Sequence, residues 1–125
     1  MRDAHRTATI TGVGFALGSL EHATGLILLA FHIELFSGYP AWRHAVFTVV
    51  DASIAWVAMR RPDRLFLPLC AFLVEQVVTN GVRAWREWST AHHVLWVVVV
   101  MHVLIFSATV AAGLNRRRAT GRRGA

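Results

Sequence analysis

Residues 42–59 read WRHAVFTVVDASIAWVAM, an apolar stretch that carries one acid, Asp51, at its middle. A helix of about 20 residues crosses the hydrocarbon core of a membrane, so this stretch is long enough to approach a full span. Three further apolar stretches also carry ionisable or amide groups near their middles: Glu21 and His22 in residues 10–36, Glu75 and Gln76 in 65–82, and His102 in 94–114. The sequence therefore predicts four transmembrane helices whose polar groups lie at one depth.

The composition favours a membrane protein over a soluble helical domain. The chain has 125 residues, of which 55% are apolar. This leaves too little polar surface to cover a soluble four-helix domain. We predict one all-α domain, an integral membrane up-down four-helix transmembrane bundle, because short Gly-, Pro- and Asp-containing loops connect antiparallel neighbours. The predicted helices are about 9–37, 41–60, 63–83 and 90–115, followed by a basic tail, 116–125.

The distribution of arginines predicts the orientation. Ten arginines lie on one side of the predicted bundle, in the N-terminus, the second loop and the tail, and three lie on the other side. Under the positive-inside rule, both termini of this multi-pass protein face the cytoplasm from the cell (inner) membrane. The tail is interpreted as an anchor for anionic lipids, and nucleic acid is not predicted as a partner. The predicted partners are the lipid bilayer and a lipophilic small molecule, with a homodimer left open.

Helical spacing places the polar residues of each stretch on one face. In the first helix, Gly14, Gly18, Glu21, Gly25 and His32 recur at steps of four, three, four and seven residues. Glycines allow a neighbouring helix to approach closely, so this stripe, and Glu21 with it, is predicted to face protein. Comparable stripes are predicted elsewhere: His44, Thr48, Asp51, Ala55 and Ala58 in the second helix; Ala71, Glu75 and Thr79 beside Gln76, Asn80 and Arg83 in the third; His102, Thr109 and Gly113 in the fourth.

These stripes predict an acid–base site. Carboxylates and imidazoles that share a low-dielectric chamber cannot all be charged, so one can act as an acid and another as a base. The predicted reactions on a lipophilic small molecule are isomerisation, cyclisation, hydration or dehydration, and epoxide opening. The predicted catalytic residues are Glu21, Asp51, Glu75 and His102, because ionisable groups inside a membrane are costly and usually functional. The predicted substrate-binding residues are His22, Gln76, Asn80, Trp56, Phe72, Trp96 and His32.

Metal and haem binding are less favoured alternatives, and no cofactor is predicted. The residues that would hold a metal ion at the outer surface are His32, Glu34, His44 and His92. The Glu-x-x-His pairs of di-metal helical bundles do not occur in the sequence, however, and no spacing specifies a zinc or copper site. Two histidine pairs at matched depths would suit bis-histidine haems: His22 with His102, and His32 with His92.

Two functions other than catalysis stay open from the sequence. Glu21, Asp51 and Glu75 would also serve coupled proton transport, since acidic chains inside membranes form proton relays. An accessory subunit of a respiratory or photosynthetic assembly would use the polar layer as an interface. The purely structural interpretation is a set of interhelical hydrogen bonds, each of which contributes about 0.6 kcal/mol on average in a membrane bundle.

The predicted orientation can be tested with reporter fusions. A reporter that is active only outside the cytoplasm should give no signal when fused after Ala125, because the arginine-rich side stays inside. The same reporter inserted after Gly38 should be active. A strong external signal at Ala125 would contradict the orientation.

Overall fold

Helices account for nearly all of the described chain. The computed structural model describes residues 2–33, 40–91 and 96–121. Within these ranges there are four α-helices, one 3-10 turn at Pro62–Arg64 and no strands, so the all-α prediction is confirmed. The helices are α1 (Arg2–Ala30), α2 (Ala41–Arg60), α3 (Phe66–Ala91) and α4 (Trp96–Gly121). They divide between two compact units, Met1–Pro62 and Asp63–Ala125, and the packing inside each unit is distinct.

In the first unit, α1 and α2 pack as an antiparallel pair with coiled-coil-like spacing. The buried line on α2 advances by three and four residues: His44, Phe47, Asp51, Ile54 and Ala58. A buried or half-buried line on α1 advances by four and three: Ala8, Gly12, Phe15, Ser19, His22, Leu26 and Leu29. This period of 3.5 residues keeps one face of each helix against the other. Gly12 lies against Ala58 and Gly25 against His44, which makes the pair antiparallel.

Two glycines of α1 make room for polar side chains of α2. A Cβ atom on Gly18 would lie 2.9 Å from Oδ2 of Asp51, and one on Gly25 would lie 2.8 Å from Cε1 of His44. Gly14, which the sequence predicts on the same stripe, has no atom within 4 Å of such a position. At Gly18 and Gly25 the helices therefore approach closely where they face the buried aspartate and histidine, and Gly12 makes a further close approach to Ala58.

The end of α1 comes earlier than its apolar pattern predicts. The N–H of Ile33 donates to the carbonyl of Leu28 at 2.9 Å, and the N–H of His32 donates to that of Leu29 at 3.0 Å. This is the hydrogen-bond pattern of a Schellman motif, in which the residue after the helix is left-handed. His32 takes that conformation, with φ of 57°. The motif satisfies the last carbonyl groups of the helix, so α1 stops at Ala30 although apolar residues continue.

The other helices match or exceed their predicted lengths. α2 covers the predicted residues. α3 begins at Phe66 rather than at residue 63 and continues past residue 83 to Ala91, so residues 90 and 91, predicted to start the fourth helix, belong to α3. α4 continues from residue 115 to Gly121. In the extra turns of α3, Nε of Arg83 donates to Oε1 of Glu87 at 3.1 Å, a pair one turn apart. The extension of α4 contains three consecutive arginines, which are good helix formers and are favoured at a helix C-terminus. Hydropathy alone misses these turns because they are polar.

In the second unit, the start of α3 lies against the end of α4. A Cβ atom on Gly113 would lie 2.9 Å from Cε2 of Phe66. The guanidinium carbon of Arg116 is 5.8 Å from the centroid of the same ring. The glycine thus allows an aromatic ring to lie against the backbone of α4.

Two helical segments among the described residues are long and apolar enough to cross a membrane: His5–Ala30 in α1 and Val98–Arg118 in α4. α2 and α3 do not reach the same apolar character because each carries several polar or charged residues along its length. A bundle with four spans is therefore not confirmed by composition, although two candidate spans are present.

Large apolar side chains lie on the outside of the helices, while several polar side chains are buried. Phe31 and Trp85 are each 71% exposed, and Trp96 is 70% exposed. The buried polar residues, each at most 7% exposed, are His44, Asp51, Gln76, Asn80 and Thr109. Soluble proteins rarely expose extended apolar surfaces, and such surfaces mark contact with lipid or with another protein.

The role of Gly25 can be tested by a pair of alanine substitutions. Gly25→Ala should lower the thermal midpoint, because the new methyl group would displace the buried ring of His44 and such overpacking costs about 1–3 kcal/mol. Gly14→Ala should raise the midpoint, since it has open space and alanine is favoured over glycine in a helix by about 0.5–1 kcal/mol. Thermal unfolding in detergent, followed by circular dichroism, measures both. Equal effects of the two substitutions would contradict the close packing at Gly25.

Candidate functional site

Two histidines and one aspartate meet between α1 and α2. Nδ1 of His22 lies 3.1 Å from Nδ1 of His44, a hydrogen bond in which one ring supplies the proton. Nε2 of His22 lies 3.9 Å from Oδ2 of Asp51, which is an ion pair whenever the ring is protonated. His44 and Asp51 are each 4% exposed, so His22 connects two buried titratable groups. We refer to these three residues as the histidine–aspartate cluster.

Matched spacings on the two helices position the cluster. His44 and Asp51 are seven residues apart on α2, and Gly18 and Gly25 are seven residues apart on α1. Seven residues make about two helical turns, so each pair lies on one face of its helix. In the antiparallel pair, Gly18 faces Asp51 and Gly25 faces His44. His22 lies between the two glycines in the sequence and reaches both partners on α2.

The residues around the cluster limit access of water and fix the register of the two helices. The ring of Phe47 covers part of His22, with centroids 5.3 Å apart and an interplanar angle of 33°. The guanidinium carbon of Arg43 lies 5.0 Å from the centroid of Phe47. The hydroxyl of Ser19 donates to the carbonyl of Thr48 at 2.9 Å, which ties α1 to α2 beside the cluster.

The structure orients Glu21 and His22 differently from the sequence prediction. Glu21, which is predicted to face the neighbouring helix, is exposed, while His22 faces α2. Successive helical residues point about 100° apart, so only one of the two can occupy the contact face. The line through Ser19, His22 and Leu26 defines that face, and Glu21 lies beside it. A catalytic role for Glu21 stays a prediction.

The polar residues of α3 form a hydrogen-bonded ladder. The amide of Gln76 donates to Oε2 of Glu75 at 2.8 Å, and the hydroxyl of Thr79 donates to Oε1 of Glu75 at 3.0 Å. The amide of Asn80 donates to Oε1 of Gln76. Three of the residues predicted for the site, Glu75, Gln76 and Asn80, are therefore in contact along one helix. Two of them, Gln76 and Asn80, are buried.

His102 of α4 has a defined tautomer. Its Nδ1 lies 2.6 Å from the carbonyl oxygen of Val98, and a carbonyl can only accept, so Nδ1 carries the proton. In the neutral ring, Nε2 is then the unprotonated nitrogen. This atom is buried and makes no hydrogen bond within the described part of the chain. His102 thus has one ring nitrogen, Nδ1, that is hydrogen bonded and one, Nε2, that is buried without such a bond among the described residues.

The remaining predicted residues lie in different environments. Phe72 is buried, whereas Trp56 and Trp96 are 59% and 70% exposed. His32 is exposed at the end of α1. The metal candidates Glu34 and His92 lie outside the described residues. Within the described ranges, no group of three His, Cys, Asp or Glu side chains is arranged to hold a metal ion.

The contribution of His44 is the main feature that the sequence analysis did not assign to the acid–base site. The sequence placed His44 on the stripe of Asp51 but named it only as a metal candidate, and it named His22 as a substrate contact and a possible haem ligand. The signal for both is the repeated interval of seven residues, Gly18 to Gly25 and His44 to Asp51, on two helices joined by a short loop.

No protein-family model, curated protein or solved structure matches this chain.

The histidine contact can be tested by nuclear magnetic resonance on protein labelled with ¹⁵N-histidine in micelles. His44→Phe should shift the ring-nitrogen signals of His22, because Nδ1 of His22 loses its hydrogen-bond partner. His5→Phe, at an exposed position of α1, is the matched control and should leave those signals in place. The His22 signals are identified by their loss in His22→Gln. Unchanged His22 signals in His44→Phe would contradict the contact.

Proposed function

We propose that this chain is an integral membrane protein, with all four helices crossing the bilayer, that performs acid–base chemistry on a lipophilic small molecule. The observation that carries the proposal is the histidine–aspartate cluster, in which two titratable side chains, each 4% exposed, contact a third between two helices. The proposed reactions are isomerisation, cyclisation, hydration or dehydration, and epoxide opening, all of which require a positioned proton donor and acceptor.

The distribution of polar and apolar residues supports the membrane location of all four helices. α2 and α3 expose large apolar side chains, including Trp42, Val49, Val74 and Val78, while His44, Asp51, Gln76 and Asn80 are buried. Ionisable groups in membrane helices usually face a bundle interior or a wet cavity rather than lipid. The buried polar residues of α2 and α3 lower the overall hydropathy of these helices, while large apolar side chains lie on their outer surface.

His22 is the proposed proton carrier. When Nδ1 of His22 donates to Nδ1 of His44, Nε2 is the ring nitrogen that gains or loses a proton. The carboxylate of Asp51, 3.9 Å away, stabilises the protonated ring, because opposite charges attract more strongly where water is excluded. In an isomerisation, Nε2 would take a proton from one atom of the substrate and return it to another. The imidazole of His22 then returns to the protonation state in which it began.

The exposure of the three side chains indicates which one meets the substrate. The side chain of His22 is 24% exposed, whereas that of Asp51 is 6% exposed. Near His22 the outer surface of α1 includes Leu17 and Leu20, each more than 60% exposed, beside the exposed Glu21. A substrate that reaches His22 across this surface must itself be lipophilic.

The residues of the second unit extend the proposal. Glu75 and the unprotonated Nε2 of His102 are further proton-exchanging groups on apolar helices. We propose Glu75 and His102 as a separate acid and base within the second unit, with Gln76 and Asn80 as polar contacts for a substrate there. Separate substitutions of Glu75 and His102 test these roles, and they leave the histidine–aspartate cluster unchanged.

Coupled proton transport is the second candidate function. It is favoured by the linear order of the cluster, in which His44 contacts His22 and His22 contacts Asp51, as in a proton relay. In vesicles that contain the protein and a pH-sensitive dye, transport would dissipate an imposed pH gradient. A membrane enzyme would leave the gradient intact.

The enzyme proposal can be tested with a mixture of candidate substrates. Purified protein is incubated with extracted neutral lipids, and the products are compared by liquid chromatography and mass spectrometry. The wild type should shift the retention time of at least one species at constant mass, or change its mass by one water. His22→Gln should reduce this conversion by about a hundred- to ten-thousand-fold, the usual contribution of a positioned acid or base. Asp51→Asn should also reduce it, because the protonated ring of His22 loses its counter-charge.

Controls separate loss of chemistry from loss of structure. Asp51→Asn should keep or raise the thermal midpoint, because it removes a buried carboxylate whose desolvation opposes folding. Ser53→Ala, at an exposed position of the same helix, should keep full conversion. If His22→Gln converts lipid as fast as the wild type, the cluster is not an acid–base site. Conversion lost in Glu75→Gln or His102→Gln would add that residue to the reaction.

A further inference from the structure

We propose that a cavity in the second unit binds the phosphate group of an anionic membrane lipid, with the apolar part of that lipid against the cavity wall. The site lies at the arginine-rich end of α4 and uses none of the residues of the histidine–aspartate cluster. The proposal rests on the membrane location proposed above but not on the acid–base chemistry.

The cavity is large enough for a lipid headgroup. Its volume is about 440 Å³, and it is lined by Phe66, Val110, Gly113, Leu114, Arg116 and Arg117. Small-molecule sites in proteins typically have volumes of about 300–1,000 Å³ and combine an apolar lining with a few polar groups. This lining has that composition: four apolar residues or glycine, and two cations.

The apolar part of the cavity depends on Gly113. A Cβ atom at this position would lie 2.9 Å from Cε2 and 3.3 Å from Cδ2 of Phe66. Any larger residue would push the ring away from α4, so the glycine sets the position of the aromatic wall. Val110 and Leu114 lie one turn before Gly113 and next to it on the same helix, and both are partly exposed.

The two arginines give the cavity its charge preference. Arg116 and Arg117 are consecutive, and their side chains leave the helix about 100° apart, yet both line the cavity. The guanidinium of Arg116 is also 5.8 Å from the centroid of Phe66, within the range of a cation–π contact. Guanidinium groups bind phosphate oxygens through paired hydrogen bonds. None of the six lining residues is acidic.

The place of the cavity along the helix identifies the source of the phosphate. The apolar segment of α4 runs from Val98 to Arg118, so Arg116 and Arg117 fall at its end. In a bilayer this is the level at which apolar side chains give way to headgroups, and basic residues there attract anionic lipids. A soluble phosphate would use the arginines but not the apolar wall. We therefore assign the site to a phospholipid with net negative charge.

Binding can be measured by native mass spectrometry of the full chain in detergent, with phosphatidylglycerol or phosphatidylcholine added. The wild type should retain phosphatidylglycerol in preference to phosphatidylcholine. Arg116→Gln with Arg117→Gln should weaken phosphatidylglycerol binding by about tenfold or more, because charge-assisted hydrogen bonds to phosphate are lost. Arg60→Gln with Arg61→Gln, which removes the same charge at residues outside the lining, is the matched control and should bind like the wild type.

Two further measurements distinguish a built site from general attraction of anions. Val110→Trp, which fills the cavity and keeps both arginines, should also weaken binding of phosphatidylglycerol. Inorganic phosphate in excess should not displace the lipid. The proposal is overturned if both arginine pairs weaken binding equally, if a folded Val110→Trp protein binds normally, or if inorganic phosphate competes. Equal retention of phosphatidylcholine would overturn it as well.

Discussion

The close approach of α2 side chains to the backbone of α1 is the constraint on which the first unit depends. At Gly18 and Gly25 the absence of a side chain leaves the space that Asp51 and His44 occupy. Any Cβ atom there would overlap a carboxylate oxygen or an imidazole carbon. The glycines therefore determine how closely α1 and α2 pack. They also determine where the side chains of Asp51 and His44 lie.

A glycine also allows close packing in the second unit, but there it accommodates an apolar side chain. Gly113 lets the ring of Phe66 lie against α4, and the result is an apolar wall beside two arginines instead of a buried polar contact. In both units a glycine leaves space beside the helix backbone, and a side chain of the partner helix fills that space. The side chain that occupies the space is polar in the first unit, where it is an imidazole, and apolar in the second, where it is a phenyl ring.

Polarity in this protein is distributed in the opposite sense to that of a soluble helical domain. All four helices expose large apolar residues, and α2 and α3 bury aspartate, histidine, glutamine and asparagine. This distribution is the one expected of helices whose outer faces contact lipid or another protein. The buried polar groups also account for the moderate hydropathy of α2 and α3. Overall hydropathy therefore underestimates how apolar their outer faces are.

The sequence by itself determined the all-helical class, the extent of α2 and the burial of Asp51, because apolar periodicity and helix-forming residues act locally. It also placed Glu75, Gln76 and Asn80 on neighbouring lines of one helix, where the structure has them hydrogen bonded. Whether Glu21 or His22 faces α2 was decided only by the tertiary structure. These neighbours differ by about 100° around the axis, and a glycine stripe is too broad to choose between them. The partner helix decides between them, since His44 and Asp51, seven residues apart on α2, both contact the side chain of His22.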